Sequence, residues 1–419
     1  MRIVIVGAGI VGVTTAYELA LQGHEVTVYE RRGSVASEAS FANGGLLAPG
    51  LVAPSAAPGM PWQVARQLFG SHARLRPGGI DALAQLPWLW RWWRASRARV
   101  HGPNRMAMHR LAQFSAARMQ ELTRCLNLEF EQTPGVVMLL RGERELKAVQ
   151  GSLALLRDWG VPHHVVDAAR CRELEPGLNE GTSLHAAVHL PQDGAGNCRQ
   201  FAHLLKAEAQ RLGARFRFHT AARALGAGTA PTVALDNGVT VPCDAVVVCA
   251  GVSARTLLAG VGVRLPLAAV HGTSVTAPLR HLDGLDAPGP RGALTDERHQ
   301  IAITRLGHRV RVTGGAEIGG EPSRLEPAAL RRLYRVLDDW FPGAVLAREA
   351  QHWKGAQPML PDGPPVLGES GAPGIWVNLG HGASGWALAC GSARVLTERL
   401  SGRDAPLDMA GLTVARLRG

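Results

Sequence analysis

Apolar residues fall in short blocks along this chain, and the first block is the sharpest. Arg2-Ile3-Val4-Ile5-Val6 is a β-branched run that predicts a buried strand, and Gly7-Ala8-Gly9-Ile10-Val11-Gly12 follows without a gap. Val13–Gln22 then has helical composition, Gly23-His24 makes a turn, and Glu25–Tyr29 predicts a second strand that delivers Glu30 to its carboxyl end. Further on, the pattern predicts helices over Asp81–Val100, Asn104–Leu126, Glu143–Trp159 and Cys198–Leu212. Strands are predicted over Phe130–Leu140, Phe216–Phe218 and Thr232–Leu235. Asp244–Gly251 is another buried strand running into a glycine, where a parallel sheet would be completed. Val263–Ala277, Ile301–Thr304 and Arg309–Thr313 alternate as antiparallel strands do, a helix follows at Pro327–Trp340, and the glycines of Gly380–Gly385 open a last apolar helix, Trp386–Leu400. Residues 51–80, rich in Pro, Gly and Ala, predict a long irregular excursion.

The order of these elements implies an α/β fold of two interleaved domains. A doubly wound cofactor-binding domain is expected from residues 1–50, 192–258 and 352–419, and a mixed antiparallel-sheet substrate domain from 51–191 and 259–351. A chain of 419 residues, 46% hydrophobic and 19% charged, supports cores of that size and excludes disorder as the dominant state.

No apolar run approaches the roughly 18 residues that cross a bilayer. The six cysteines, Cys125, Cys171, Cys198, Cys243, Cys249 and Cys390, lack C-x-x-C spacing, which predicts neither a disulfide framework nor a metal site and suits a reducing cytoplasm. Gly7 and Glu18 break the opening apolar stretch early, so the N-terminus is expected to be retained. The net charge of +11 is spread along the chain, almost all as arginine, instead of forming blocks, which predicts no nucleic-acid partner.

The first thirty residues carry the chemistry. Gly7-x-Gly9-x-x-Gly12 between a strand and a helix, with an acid at Glu30, is a dinucleotide fingerprint. Gly7 permits the turn, Gly9 lets backbone approach a pyrophosphate and Gly12 lets the helix pack on the strand. The free N–H groups of the helix N-terminus face the phosphates, and Glu30 accepts from ribose hydroxyls. The fingerprint alone suits NAD or FAD. The glycine-bearing loops Ser40-Phe41-Ala42-Asn43-Gly44-Gly45 and Gly380-His381-Gly382-Ala383-Ser384-Gly385, far apart in the chain, suit a long flavin held between them.

With those segments, Pro191-Gln192-Asp193-Gly194, Pro358–Gly363 and Gly385-Trp386 with Ala389-Cys390-Gly391, the chain resembles the FAD-dependent D-amino-acid dehydrogenases of the D-amino-acid oxidase and glycine/sarcosine oxidase superfamily. The resemblance implies oxidation of a D-amino acid to its imino and then 2-oxo acid, by hydride transfer from the α-carbon to flavin N5, with electrons passed to a quinone. It implies a cofactor site made from Gly7, Ala8, Gly9, Ile10, Val11, Gly12, Glu30, Arg31, Ser40, Asn43, Gly44, Gly45, Leu46, Ala250, Gly251, Gly380, His381, Gly382, Ser384, Gly385 and Trp386. The last helix would aim its N-terminus at the ring's pyrimidine edge. No cysteine lies near Met359–Asp362, where some oxidases of the superfamily tether their flavin, so the FAD is expected to be noncovalent.

Two departures bear on the substrate. Gln357 stands where the family carries an arginine that clamps the substrate carboxylate, leaving His271, Arg305, Lys354 and His381 as candidate replacements. His271-Gly272-Thr273 replaces the family's Lys-Gly-Tyr. A cyclic secondary D-amino acid, D-hydroxyproline or D-proline, therefore rivals D-alanine, and an oxygen-using glycine- or sarcosine-type oxidase stays open. Trp88-Leu89-Trp90-Arg91-Trp92-Trp93-Arg94 reads either as a packed lid helix or as a peripheral contact with the cytoplasmic face of the inner membrane. Asp193 and Asp362, in Gly/Pro-rich stretches, read as turn-formers.

Overall fold

The structure of the chain is a computed structural model that describes residues 1–59, 76–78, 85–280, 289–321 and 324–417. The predicted βαβ unit is present: the strand Arg2–Val6, the helix Ile10–Leu21 and the strand Glu25–Tyr29. Their strands sit in the middle of a six-stranded sheet in the order Val366–Glu369, Ile375–Leu379, Ala245–Val248, Arg2–Val6, Glu25–Tyr29, Arg215–Arg217. All neighbours are parallel except the first pair.

The period of two along Arg2–Val6 sorts its side chains between two cores. Ile3 and Ile5 pack with the helices Ile10–Leu21, Cys198–Arg211 and Gly385–Leu400. Val4 and Val6 pack on the other side, with the helix Ala254–Ala259 and a three-stranded sheet of Ala222–Gly226, Thr232–Leu235 and Thr240–Pro242. A strand covered on both faces must be apolar at every position, which is why these segments read as uninterrupted blocks.

The second sheet has ten strands. Eight run in the order Gln351–Met359, Ala268–Pro278, Arg309–Gly319, Ile301–Leu306, Ala293–Asp296, Thr133–Leu140, Ala186–Ala195, Leu46–Leu47. Arg76–Gly78 pairs with Arg309–Gly319 and His164–Asp167 with Ala186–Ala195. The helix Pro327–Trp340 lays Leu333, Val336, Leu337 and Trp340 on one face, against Val275, Ala277, Ile303, Val310 and Val312. The alternate residues of the same strands, Thr276, Thr304, Arg311 and Thr313, leave the opposite face polar.

Three expectations change. Gln351–Met359 is a strand of the ten-stranded sheet, in unbroken register with Ala268–Pro278, so residues 352–359 leave the cofactor-binding segment assigned to them. Asp193 lies within the strand Ala186–Ala195 instead of in a turn. The helices expected at Asp81–Val100 and Asn104–Leu126 are Leu86–Ala95 and Ala98–Cys125, with Pro103 inside the second. The chain breaks earlier than expected, at Ser96-Arg97, and Pro103 near the helix start removes only one N–H. Most of the expected excursion at 51–80 lies outside the described residues. Among the described residues no helix is long and apolar enough to cross a membrane.

The helices are locked by close approach and a buried charge. Glu18, fully buried, accepts hydrogen bonds from Arg118 Nε at 2.7 Å and Arg394 Nη1 at 3.3 Å, joining three helices. A Cβ on Gly391 would lie 2.8 Å from Ser115 Cα, and Gly391 N donates to Ser115 Oγ at 3.1 Å. Gly391→Ala is therefore expected to destabilise the protein by about 1–3 kcal/mol, lowering the thermal midpoint. Gly151→Ala, on an exposed helix where a Cβ meets nothing within 4 Å, should stabilise by roughly 0.5–1 kcal/mol. Calorimetry of the two variants checks both signs.

Candidate functional site

At the nucleotide end the three glycines differ in what they do. Gly7 has φ +101, and a Cβ there would lie 2.7 Å from the carbonyl oxygen of Cys249. A Cβ on Gly12 would lie 1.9 Å from the carbonyl oxygen of Gly7. Both are dictated by the protein itself. Gly9 is not: its φ is an ordinary −66, and a Cβ there would meet only Ser40 Oγ, at 3.5 Å. The space over Gly9 is thus left open by the fold, as a cradle for a pyrophosphate requires. The helix Ile10–Leu21 opens beside it with no side-chain cap and no acid in its first turn, while Ile10 N donates to Ser40 Oγ at 3.1 Å. Val11 follows in that first turn.

Glu30 is buried, and its carboxylate accepts from Ala8 N and Arg32 N, each at 2.8 Å. Those bonds fix the carboxylate at the strand end where a ribose would lie. Arg31 pairs with Glu38 at 3.0 Å and donates to Ser253 Oγ at 3.2 Å, tying the ribose strand to the turn after Ala250-Gly251. Gly251, at φ +56, again leaves its surroundings empty.

The loop that follows rests on the polar face of the ten-stranded sheet. Asn43 Oδ1 accepts from Gly45 N at 2.9 Å, Thr304 Oγ1 donates to the carbonyl of Gly44 at 2.7 Å, and Arg311 Nη1 donates to the carbonyl of Asn43 at 3.1 Å. Leu46 then pairs with Ala195. Arg311 is itself held by Thr276 Oγ1 at 2.9 Å, and burial, with Arg309 nearby, pushes its guanidinium down to about 10. Thr304 and Arg311 are site residues that the sequence reading missed. Their signal was the polar–valine alternation over Arg309–Thr313, which identified a strand without saying what its polar face touches.

At the far end, Gly380 and Gly382 have φ +85 and +56, and His381 bridges to Met359. The helix Gly385–Leu400 starts after Ser384 with no side-chain cap and no acid in its first turn, so its N–H groups are free to receive a negatively charged ring edge. The Trp386 indole packs edge-on against Phe130 and Phe201, which leaves only its backbone for a cofactor.

On the substrate side, Gly272 lies opposite Gly355, Val270 opposite Gln357 and Ser274 opposite Trp353. Directly paired residues share a face, so Trp353 and Gln357 lie with Thr276 and Arg311 on the side that carries the Asn43–Gly45 loop. The Trp353 ring overlies Gly355, where a Cβ would fall 1.6 Å from the indole, and Gln357 Nε2 lies 3.2 Å from a Cβ on Gly272. The Phe41 ring is 6.1 Å from Trp353.

Of the cations expected to replace the family arginine, Lys354, His271 and Arg305 do not share the face of Gln357. Lys354 alternates to the other face, where its Nζ donates to the Glu317 carboxylate and the carbonyls of Glu321 and Arg324, each at 3.0 Å. His271 lies on that face too, opposite Ala356, and burial and Lys354 push its pKa down. Arg305 follows Thr304 and so points away from the loop, donating to the carbonyls of Gly307 and Pro290. His381 is buried, with Nε2 against Ser392 Oγ at 2.9 Å, and burial pushes it down to about 3, so it is neutral.

Asp193 lies beside the loop, with Gly50 N 3.4 Å from Oδ1, while Oδ2 is buried with no hydrogen-bond partner among the described residues. Burial pushes its pKa up to about 7. Asp362, in contrast, is in a turn as expected and receives Arg416 at 2.7 Å.

Three predictions follow from this geometry. Gly9→Ala should leave the unfolding midpoint of the FAD-free protein unchanged and weaken FAD binding about tenfold or more, by fluorescence titration. Gly12→Ala should not fold. An acid whose pKa is raised on folding contributes stability below its ordinary range and loses it as pH rises through the folded value. Between pH 3.8 and about 7 the protein should lose stability relative to Asp193→Asn, at up to about 1.4 kcal/mol per pH unit. Denaturation curves of both proteins across that range check it.

Comparison with known proteins matches this arrangement. The family model described as DAO, FAD dependent oxidoreductase, matches residues 2–399. A Cereibacter sphaeroides protein named D-amino acid dehydrogenase is 40% identical over 422 residues, covering 99% of this chain and 95% of the relative. One of the same name from Bradyrhizobium diazoefficiens is 36% identical, covering 99% of each. In fold, the chain is similar to glycine oxidase from Geobacillus kaustophilus, with TM-score 0.75, 20% identity and 99% and 98% of the two chains covered. Taken with the cradle over Gly9, these findings make the cofactor FAD, and the chain belongs to the DAO family of FAD-dependent oxidoreductases.

Proposed function

We propose that this oxidoreductase is a dehydrogenase of D-amino acids that passes its electrons to a quinone. Two full-length relatives that carry the name D-amino acid dehydrogenase support the substrate class. The observation that carries the reading is the Gly272–Gly355 pair, whose missing side chains let the Trp353 indole lie over Gly355 and the Gln357 amide approach Gly272 on the face that holds the Asn43–Leu46 loop. A larger side chain at either glycine would displace the indole or the amide from that face.

Bound FAD supplies a two-electron acceptor. Gly7–Gly12, Glu30, Ser40, the Asn43–Leu46 loop, Ala250-Gly251 and Gly380–Trp386 are the residues that would hold it, without a covalent link. The chain's own part is positioning. Gln357 Nε2 donates to the substrate carboxylate, a neutral donor where an arginine would add charge. Trp353 walls the pocket and keeps water out. The N-terminus of Gly385–Leu400 favours negative charge at its end of the site. Neither Gln357 nor Trp353 can take a proton, so the amine must arrive neutral and the rate should rise with pH as the substrate amine deprotonates.

A cyclic secondary D-amino acid, such as D-hydroxyproline or D-proline, is the second reading. The flat indole over Gly355 favours it, because an aliphatic ring packs on an aromatic plane without needing a polar partner.

For the acceptor, the helix Leu86–Ala95 buries Trp88 and Trp92, with Trp88 Nε1 donating to the carbonyl of Met359 at 3.2 Å. Its other side exposes Leu86, Trp90 and Trp93, with Arg94 over Trp90 at 4.7 Å and Arg97 over Trp93 at 5.1 Å. Exposed indoles with arginines stacked over them suit an anionic lipid surface, the medium of a quinone.

Anaerobic mixing with single amino acids tests the reading. D-amino acids, linear or cyclic, should bleach the flavin where their L-enantiomers do not, and turnover with a quinone analogue should yield no peroxide. Bleaching by no D-amino acid overturns it. Gln357→Ala should lower kcat/KM about tenfold or more, mostly through KM. Acid precipitation should leave the yellow colour in the supernatant.

A further inference from the structure

On the same face of the ten-stranded sheet as the Asn43–Gly45 loop, one cleft of about 370 Å³ is lined by Phe41, Glu131, Asn197, Arg199, Arg309 and Arg311, with Gln200, His203 and Gln351 at its margins. Its charges do not balance. Glu131 is its single acid, held at the left-handed φ of 49, and it is already committed: it accepts from Arg309 Nη2 at 3.0 Å and from Asn197 Nδ2 at 2.6 Å. A non-glycine residue in that conformation costs of order 1–3 kcal/mol, a strain that persists where the surroundings demand it. Arg199 and Arg311 have no carboxylate among the hydrogen bonds and ion pairs of the described residues. Arg199 lies over the Phe41 ring at 4.4 Å, and its Nε is buried with no partner. Arg311 is 5% exposed and bonds only neutral oxygens, those of Thr276 and Asn43. Burial, Arg199 and Lys206 hold His203 toward its neutral form, as expected where positive charge is already in excess.

We infer that this cleft binds a small dianion, a phosphate or a dicarboxylate, between Arg199 and Arg311. Two guanidiniums without a carboxylate partner match two negative charges: Arg199 offers its terminal N–H groups, and Arg311, whose Nε and Nη1 hold Thr276 and Asn43, offers Nη2. The site is coupled to the cofactor by two links already described. Phe41, beneath Arg199, immediately precedes the Asn43–Leu46 loop, and Arg311 holds the carbonyl of Asn43. An anion drawn to Arg311 would therefore be felt at the flavin, and binding it would stabilise the loop that carries the ring. This inference rests on the cleft and on bound FAD, and holds whatever the amino-acid substrate is.

The test titrates the FAD-loaded protein with inorganic phosphate and, separately, with succinate, against chloride and acetate at matched ionic strength. The readouts are the flavin's visible spectrum and the temperature at which flavin is released. A saturable spectral change and a higher release temperature are expected with at least one dianion and with neither monoanion, and the tighter of the two identifies the ligand class. Arg199→Ala and Gln200→Glu, the latter placing a negative charge in the cleft, should each weaken the response about tenfold or more, with turnover in chloride unchanged. The inference fails if chloride or acetate acts as well as the dianions, if neither dianion acts, or if both variants respond as the parent does.

Discussion

The structure turns on the way one short loop is shared between two sheets. Residues Ser40–Leu46 leave the ribose strand of the parallel sheet and end as a strand of the ten-stranded sheet, paired with Ala195. Between those points Thr304 and Arg311 take the carbonyls of Gly44 and Asn43. A buried carbonyl without a donor costs roughly 1–3 kcal/mol, so these bonds decide both the path of the loop and the face of the second sheet that meets it. Through Ser40 at one end and the carbonyls of Asn43 and Gly44 at the other, the loop links the start of the helix Ile10–Leu21 to the polar face of the second sheet.

Once that face is set, strand alternation sorts the candidate site residues without further choice. Gln357 and Trp353 arrive on the loop side, and Lys354 and His271 arrive behind it. The cations behind the sheet are not idle. Lys354 with Glu317 and two carbonyls anchors the chain after Arg309–Gly319 to the strand that carries Gln357, three residues away. The Lys354 charge is thus part of the frame, and the side chain near Gly272 on the loop side is the Gln357 amide.

Charge in this protein is in fact mostly structural wherever it is buried. Glu18 joins three helices through Arg118 and Arg394, and Asp296 takes both Arg141 and the Trp340 indole. Against that background the cleft around Arg199 and Arg311 stands apart, since its positive charges meet only neutral oxygens, an aromatic face and a carboxylate already engaged. Arg311 and Phe41 join it to the loop that runs on to Leu46.

Much of this was legible in the sequence. The strand, glycine turn, helix and Glu30 follow from local pattern, because a turn at φ +101 and a helix start where a Cβ would lie 1.9 Å from the Gly7 carbonyl oxygen admit only glycine. The buried strand at Ala245–Val248 and the helix Pro327–Trp340 were equally plain from apolar spacing. Asp193 was misread because Pro and Gly around it mimic a turn, whereas pairing with Thr133–Leu140 makes the segment a strand. What one chain read alone could not decide was which side of a strand faces the cofactor. Spacing records that residues alternate, but the choice of face depends on partners 260 and 268 residues away along the chain, the separations of Thr304 from Gly44 and Arg311 from Asn43. Local composition therefore determined the nucleotide cradle, and long-range pairing alone decided which polar groups share the face that carries the Asn43–Leu46 loop.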